Sequence, residues 1–183
     1  ALDVAAYNSL MGAFVRKGRH HEALRLLSEM WTRDVKPNTV TFINALSACV
    51  APENLRDGKF IHTCISDDLL ESNVVLRNAL MTMYGKCGDL YDAHAWFVQM
   101  HEKTLFSWNC LLGAYVQYGN TIESDQLFEQ MQQEDIQPNQ VTFVNILKIC
   151  ASTGRLNHGR LIHAHVIEIG FDINIFVGNA LMN

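Results

Sequence analysis

The sequence predicts an all-α fold, a solenoid of antiparallel helix-turn-helix repeats, and three observations carry that prediction. Apolar residues recur at helical spacing along the chain, in stripes separated by glycine or proline. The later part of the chain echoes the earlier part at a shift of 101 residues. No stretch alternates apolar and polar residues between tight turns, as a half-buried strand would. A single helical hairpin cannot bury both of its apolar faces, so successive hairpins must stack into a superhelix with a concave side.

The first helix is predicted from Tyr7, Leu10, Met11 and Phe14, which fall on one helical face, and Gly18 breaks it. Ala23, Leu26, Leu27 and Met30 form a second stripe, which Pro37 ends because its ring cannot continue a helix. Together these make a hairpin of about 35 residues. Further on, Tyr84-Gly85-Lys86-Cys87-Gly88 separates an apolar segment from the stripe Ala93, Trp96, Phe97 and Met100. Trp108, Leu111, Leu112 and Tyr115 then precede Gly119, and Leu127, Phe128 and Met131 precede Pro138.

The echo is dense. Tyr7-Asn8-Ser9-Leu10-Met11-Gly12-Ala13 returns as Trp108-Asn109-Cys110-Leu111-Leu112-Gly113-Ala114, and Lys36-Pro37-Asn38 as Gln137-Pro138-Asn139. Val40-Thr41-Phe42 returns as Val141-Thr142-Phe143, Cys49 as Cys150, Gly58 as Gly159 and Ile61-His62 as Ile162-His163. Asn78-Ala79-Leu80-Met81 returns as Asn179-Ala180-Leu181-Met182. Chance does not place so many matches in one register.

Composition narrows the function classes. Of 183 residues, 49% are hydrophobic, enough for a buried core and against intrinsic disorder. No apolar run approaches the roughly 18 residues of a membrane span, so no membrane partner is expected. A net charge of -5 means that any affinity for a polyanion must come from a local face. The five cysteines (Cys49, Cys64, Cys87, Cys110, Cys150) form no C-x-x-C pair, which fits a reducing compartment and thiols buried as small hydrophobes rather than a disulfide or zinc framework. The start at Ala1, without Met or a charged leader, and the abrupt end lead us to expect a piece of a longer chain.

Catalytic patterns are weak. His20-His21-Glu22 fits the H-x-E fragment of zinc deaminases, but the P-C-x-x-C that must accompany it is missing. His163 and His165 are two apart, a spacing that points their rings away from each other on a helix. Nucleophile elbows and phosphate loops are absent. Surface histidines, no enzyme activity and no cofactor are the expectation.

The Tyr-Asn-x-Leu opening, the glycine turn, the Ala-x-x-Leu/Phe-x-x-Met second helix and the Pro-Asn ending resemble pentatricopeptide repeats. The three-part unit is similar to the plant variety that cycles P-, L- and S-type repeats. On that alignment residues 4–38 are P-type, 39–73 L-type and 74–104 S-type; 105–139 are P-type again, 140–174 L-type, and 175–183 open another S-type repeat. Units of 35, 35 and 31 residues account for the 101-residue shift. The resemblance covers essentially the whole chain and implies a right-handed superhelix. Tetratricopeptide repeats, which scaffold peptides, are the alternative, but the 31-residue unit and the Asn after the aromatic do not suit them.

What the resemblance implies is recognition of single-stranded RNA at about one base per repeat, read by the fifth and last residues of each. Asn8 with Asn38, and Asn109 with Asn139, match the family's Asn-Asn combination, which favours cytosine and tolerates uracil. Asn78 pairs with Thr104, a departure from the usual Asn or Asp, and Asn179 has no partner. The L-type repeats carry Ile43 and Val144 beside Asn73 and Asn174; an alkyl group cannot hydrogen-bond a base, so these repeats are expected to act as spacers. The order implied is pyrimidine, any, pyrimidine, pyrimidine, any, pyrimidine, running 5′ to 3′.

The second residue of each repeat (Ala5, Val40, Val75, Phe106, Val141, Phe176) is implied to pack between bases, with core packing as the alternative. Arg16 and Lys86, ending first helices, are candidates for phosphate contact, or else ordinary solvated charges. For Asn38 and Asn139, helix capping is the competing explanation; Asn8 and Asn109 lie inside a predicted helix, where Asn has poor propensity. The resemblance further implies a plant chloroplast or mitochondrion, a role in marking sites for cytosine-to-uracil editing or RNA processing, and partner proteins of an editing complex. Any deaminase-like extension lies outside these residues.

Overall fold

A computed structural model describes residues 2–154 together with Ile162 and Ala164. Asn174, Phe176 and Asn179 of the expected reading set, His163 and His165, and the segment 175–183 lie outside the described residues. Every regular element among the described residues is helical: α1 (Val4–Arg16), α2 (His20–Thr32), α3 (Thr39–Ala48), a 3-10 turn (Pro52–Asn54), α4 (Leu55–Thr63), α5 (Asp67–Ser72), α6 (Val74–Lys86), α7 (Leu90–Gln99), α8 (Leu105–Gln117), α9 (Thr121–Gln133) and α10 (Gln140–Thr153). The all-α expectation holds. The chain forms two compact units, Ala1–Glu102 and Lys103–Asn183.

Local chemistry ends each helix. At the end of α1, Gly18 adopts φ +70°, and the amides of Gly18 and Arg19 donate back to the carbonyls of Val15 (3.0 Å) and Phe14 (2.9 Å). This Schellman closure needs the left-handed conformation that glycine reaches without a Cβ penalty. The same closure follows α2 and α9 on aspartates: Asp34 and Asp135 sit at φ 56° and 55°, and Val35 and Ile136 donate to Met30 and Met131. Sequence reading placed breaks there on Pro37 and Pro138; the chain turns three residues earlier, with an Asp in the conformation that Asp tolerates better than most.

In the first unit α1 and α2 pair as a hairpin and α3 packs on both; α6 packs on α3 and α4, and α7 closes on α6. Tyr7, Met11, Ala23, Leu27 and Met30 are buried between the first three helices. Leu10, expected in that stripe, is 41% exposed, because on the helix surface it lies to the side of the Tyr7–Met11 arc that α2 and α3 cover. The second periodic segment of residues 39–73 is not one helix. It breaks between α4 and α5, where Ser66 takes an extended conformation (ψ 151°) and Leu69 and Leu70 restart the helix by donating to its carbonyl. In the second unit α8 and α9 form a hairpin against which α10 packs, burying Trp108, Leu111, Leu112, Leu127, Phe128 and Met131.

Gly58 marks a close approach of α4 to α6. A Cβ there would collide with the Met83 thioether on α6, and Met83 is itself buried. Gly58→Ala is therefore expected to destabilise the chain by about 1–3 kcal/mol, the usual consequence of overpacking, measurable as a lowered urea midpoint.

Two expectations about side chains need correction. His62 is not a surface histidine: its ring meets Tyr84 and Trp96 edge-on and its Nδ1 lies 2.8 Å from the Tyr84 hydroxyl. Burial lowers its pKa, outweighing the nearby carboxylates of Asp92 and Asp67, which raise it. Cys64 is exposed, whereas Cys49, Cys87 and Cys150 are buried. Burial pushes the Cys49 thiol up to about 12, so it behaves as an inert small hydrophobe.

Candidate nucleic-acid interface

Residues at i, i+3, i+7 and i+11 share one face of a helix. On α1 that face carries Ala5, Asn8, Gly12 and Arg16; on α6, Val75, Asn78, Thr82 and Lys86; on α8, Phe106, Asn109, Gly113 and Gln117. The corresponding residues of α3 begin Val40, Ile43, and those of α10 begin Val141, Val144. In the first unit α1, α3 and α6 lie side by side, so their faces are neighbours.

The apolar residues that open these faces are in water. Phe106 is 59% exposed, Val75 61%, and Val40 and Val141 52% each; Ala5 is exposed too. Core packing does not account for them. Ile43 and Val144 are half-buried. Asn78 and Asn109 are buried, and Asn8 is half-buried.

Among the described residues, the asparagines at repeat ends (Asn38, Asn73 and Asn139) are caps. Asn38 and Asn139 sit in extended conformation before α3 and α10, and each side-chain oxygen accepts the backbone N–H of the residue three on, Thr41 or Thr142, at 3.1 Å. Asn73 caps α6 by accepting from Leu76 at 2.9 Å, and Thr104 caps α8 by accepting from Ser107 at 3.3 Å. Capping and reading are compatible here, since the cap engages only the oxygen. Asn78 belongs to the first unit and Thr104 to the second.

The Asn pairs are joined directly. Asn8 Nδ2 donates to Asn38 Oδ1 at 3.0 Å, and Asn109 Nδ2 donates to Asn139 Oδ1 at 3.0 Å. Thr41 donates its hydroxyl to Asn8 Oδ1 at 2.7 Å, and Thr142 to Asn109 Oδ1 at 2.7 Å. Neither threonine was singled out by sequence. The signal was the Asn-x-x-Thr that opens both helices, a variant of the capping box in which the Thr hydroxyl accepts the cap's own N–H. Asn44 was also missed; its Nδ2 donates to the Asn8 backbone carbonyl at 3.1 Å and ties α3 to α1.

Arg16 and Lys86 are exposed and each ends its helix, where a cation also interacts favourably with the helix dipole. Among the described residues no group of three or more His, Cys, Asp or Glu side chains could hold a metal ion.

Comparison with known proteins places this geometry in a broader setting. Residues 2–51 and 103–152 match a family model described as the PPR repeat family, and residues 75–105 match one described as the PPR repeat. A chloroplastic pentatricopeptide repeat-containing protein of Arabidopsis thaliana is 33% identical over 99% of this chain and 22% of its own length. A mitochondrial one from the same plant is 37% identical over 86% of this chain and 23% of its own. The chain thus spans about a quarter of the length of the curated relatives it matches. The fold is shared with the maize pentatricopeptide repeat protein PPR10 (TM-score 0.69, 23% identity, all of this chain and 27% of that one). It is shared as well with PPR10 solved in complex with an 18-nt psaJ RNA element (TM-score 0.73, 15% identity, 99% of this chain and 26% of that one).

Proposed function

Because the chain belongs to the pentatricopeptide repeat family, we propose that it is a sequence-selective single-stranded RNA-binding module, a binder rather than an enzyme, that engages about one base per repeat. The observation that carries this reading is the repeated Asn-Asn pair. In both copies one amide oxygen of each residue is engaged inside the protein, while the Nδ2 of Asn38 or Asn139 and the second N–H of Asn8 or Asn109 remain for a ligand. A base edge is the planar ligand such paired donors suit. The RNA held by PPR10, a protein of the same fold, supports the choice of partner.

Within this reading the cycle of P-, L- and S-type repeats sets which repeats discriminate. Asn8/Asn38 and Asn109/Asn139 select pyrimidines, cytosine foremost; Asn78 selects less sharply. Ile43 with Asn73 and Val144 with Asn174 act as spacers. Ala5, Val40, Val75, Phe106, Val141 and Phe176 pack on base faces, Arg16 and Lys86 meet phosphates, and Asn179 opens the next reading position. In this reading the repeats follow RNA from 5′ to 3′ in chain order. The parent protein resides in a chloroplast or mitochondrion, where it specifies a site for editing or processing together with other proteins of that machinery.

The test is a titration of matched RNAs that differ only in the base opposite Asn8 and Asn109. Tighter binding of the pyrimidine versions is expected, and Asn8→Ala with Asn109→Ala should remove the preference. Equal binding of purine and pyrimidine RNAs by the unaltered chain would sink the reading in favour of a peptide scaffold. With two phosphate contacts, log affinity should fall with log salt at a slope of about -1.4.

A further inference from the structure

Hydrogen-bond polarity around the Asn pairs gives a role to two residues that the reading code leaves out. Consider the first copy. The backbone N–H of Thr41 can only donate, so the atom 3.1 Å from it must be the oxygen of the Asn38 amide. The Asn8 atom 3.0 Å from that oxygen must then be nitrogen. The remaining terminal atom of Asn8 is therefore its oxygen, which lies 2.7 Å from the Thr41 hydroxyl. That hydroxyl already accepts the N–H of Asn38 at 3.1 Å, and of the two oxygens its single proton can reach, Asn8 Oδ1 at 2.7 Å and Asn38 Oδ1 at 3.1 Å, it goes to the nearer, Asn8 Oδ1. Each orientation follows from the one before, starting from a backbone group that cannot be reversed. The second copy repeats the chain of bonds through Asn139, Thr142 and Asn109 at 3.1, 3.0 and 2.7 Å.

Both threonine side chains are buried, at 0% exposure, on residues that α3 and α10 hold in their first turns. We infer that Thr41 and Thr142 are specificity-positioning residues: each turns the amide oxygen of Asn8 or Asn109 inward, so that the Asn pair offers a ligand hydrogen-bond donors only. The inference rests on the base-reading proposal and deepens it. A donor-only head suits the edge that carries acceptors side by side, O2 and N3 of cytosine. Uracil interposes an N3–H between its two carbonyls, and guanine presents mainly donors at that edge. Without the hydroxyl, Asn8 keeps a single tether and its amide can rotate to present the oxygen, which a donor-bearing base would accept.

The experiment uses the whole chain with both threonines changed to valine, which keeps the β-branched shape, and separately to serine, which keeps the hydroxyl. Two quantities are read. In the RNA-free protein, the assigned side-chain amide signals of Asn8 and Asn109 should move and broaden in the valine variant and stay in place in the serine variant. With RNA, the ratio of affinities for cytosine over guanine opposite those residues should fall about threefold to tenfold per site with valine, the range that one hydrogen bond commands, and recover with serine. A valine variant that binds all RNAs more weakly by one common factor has lost only stability, and that result overturns the positioning role. So does an unchanged amide spectrum. If the unaltered chain is blind to base identity, the base-reading proposal fails and takes the specificity role with it; if it is selective and the valine variant equally so, the positioning role alone fails.

Discussion

Replacing Asn38 and Asn139 with aspartate is expected to turn a cytosine preference opposite those two pairs into a uracil preference. One carboxylate oxygen can take the place of Oδ1, accepting the N–H of Thr41 or Thr142 and the Nδ2 of Asn8 or Asn109. The other then stands where the Nδ2 donors were, and an acceptor now faces the base. Cytosine N3 is an acceptor and is repelled; uracil N3–H is a donor and is attracted. A swing of about 1–3 kcal/mol per site is the scale of a good base-edge contact, or roughly fivefold to over a hundredfold in relative affinity. The fold should not suffer. Asp caps a helix as well as Asn does and adds a favourable charge at the N-terminus. Titration with cytosine and uracil versions of one RNA, alongside a thermal melt, checks both halves; a double aspartate variant that still preferred cytosine would mean that the last residue of the repeat does not face the base.

The helical hairpins were legible because their causes are local. Gly18, Gly88 and Gly119 stop helices through their own backbone freedom, and the stripes Trp108, Leu111, Leu112, Tyr115 and Leu127, Phe128, Met131 are buried as their spacing requires. The break between α4 and α5 was not legible, since no glycine or proline marks it and Ser66 makes the turn. Asp34 and Asp135 in the left-handed region escaped notice because the prolines that follow them drew the reading downstream. Within the candidate site, residue types could be named but not their polarity. Which end of the Asn8 amide faces outward depends on a hydroxyl 33 residues away. That hydroxyl is placed only when α3 packs on α1, so local sequence holds no record of it.

Phe106→Ala separates surface chemistry from packing more sharply than any other single change. A phenylalanine in a core costs about 3–5 kcal/mol of stability when truncated. Phe106 is 59% exposed at the second position of α8, one turn before Asn109, and much of its ring contributes little to the folded state. The melting temperature is therefore expected to stay nearly unchanged. RNA affinity should not: stacking of a base on an aromatic ring is worth about 1–3 kcal/mol, so binding should weaken roughly fivefold to over a hundredfold. Because every base has a face to stack, the loss should be similar for pyrimidine and purine RNAs, unlike the loss at Asn109, which should depend on the base. Val141→Ala, at the equivalent place on α10, should follow the same pattern with a smaller loss, since an isopropyl group covers less of a base. A Phe106→Ala chain that melted several degrees lower while binding RNA as before would assign the ring to structure and remove it from the reading face.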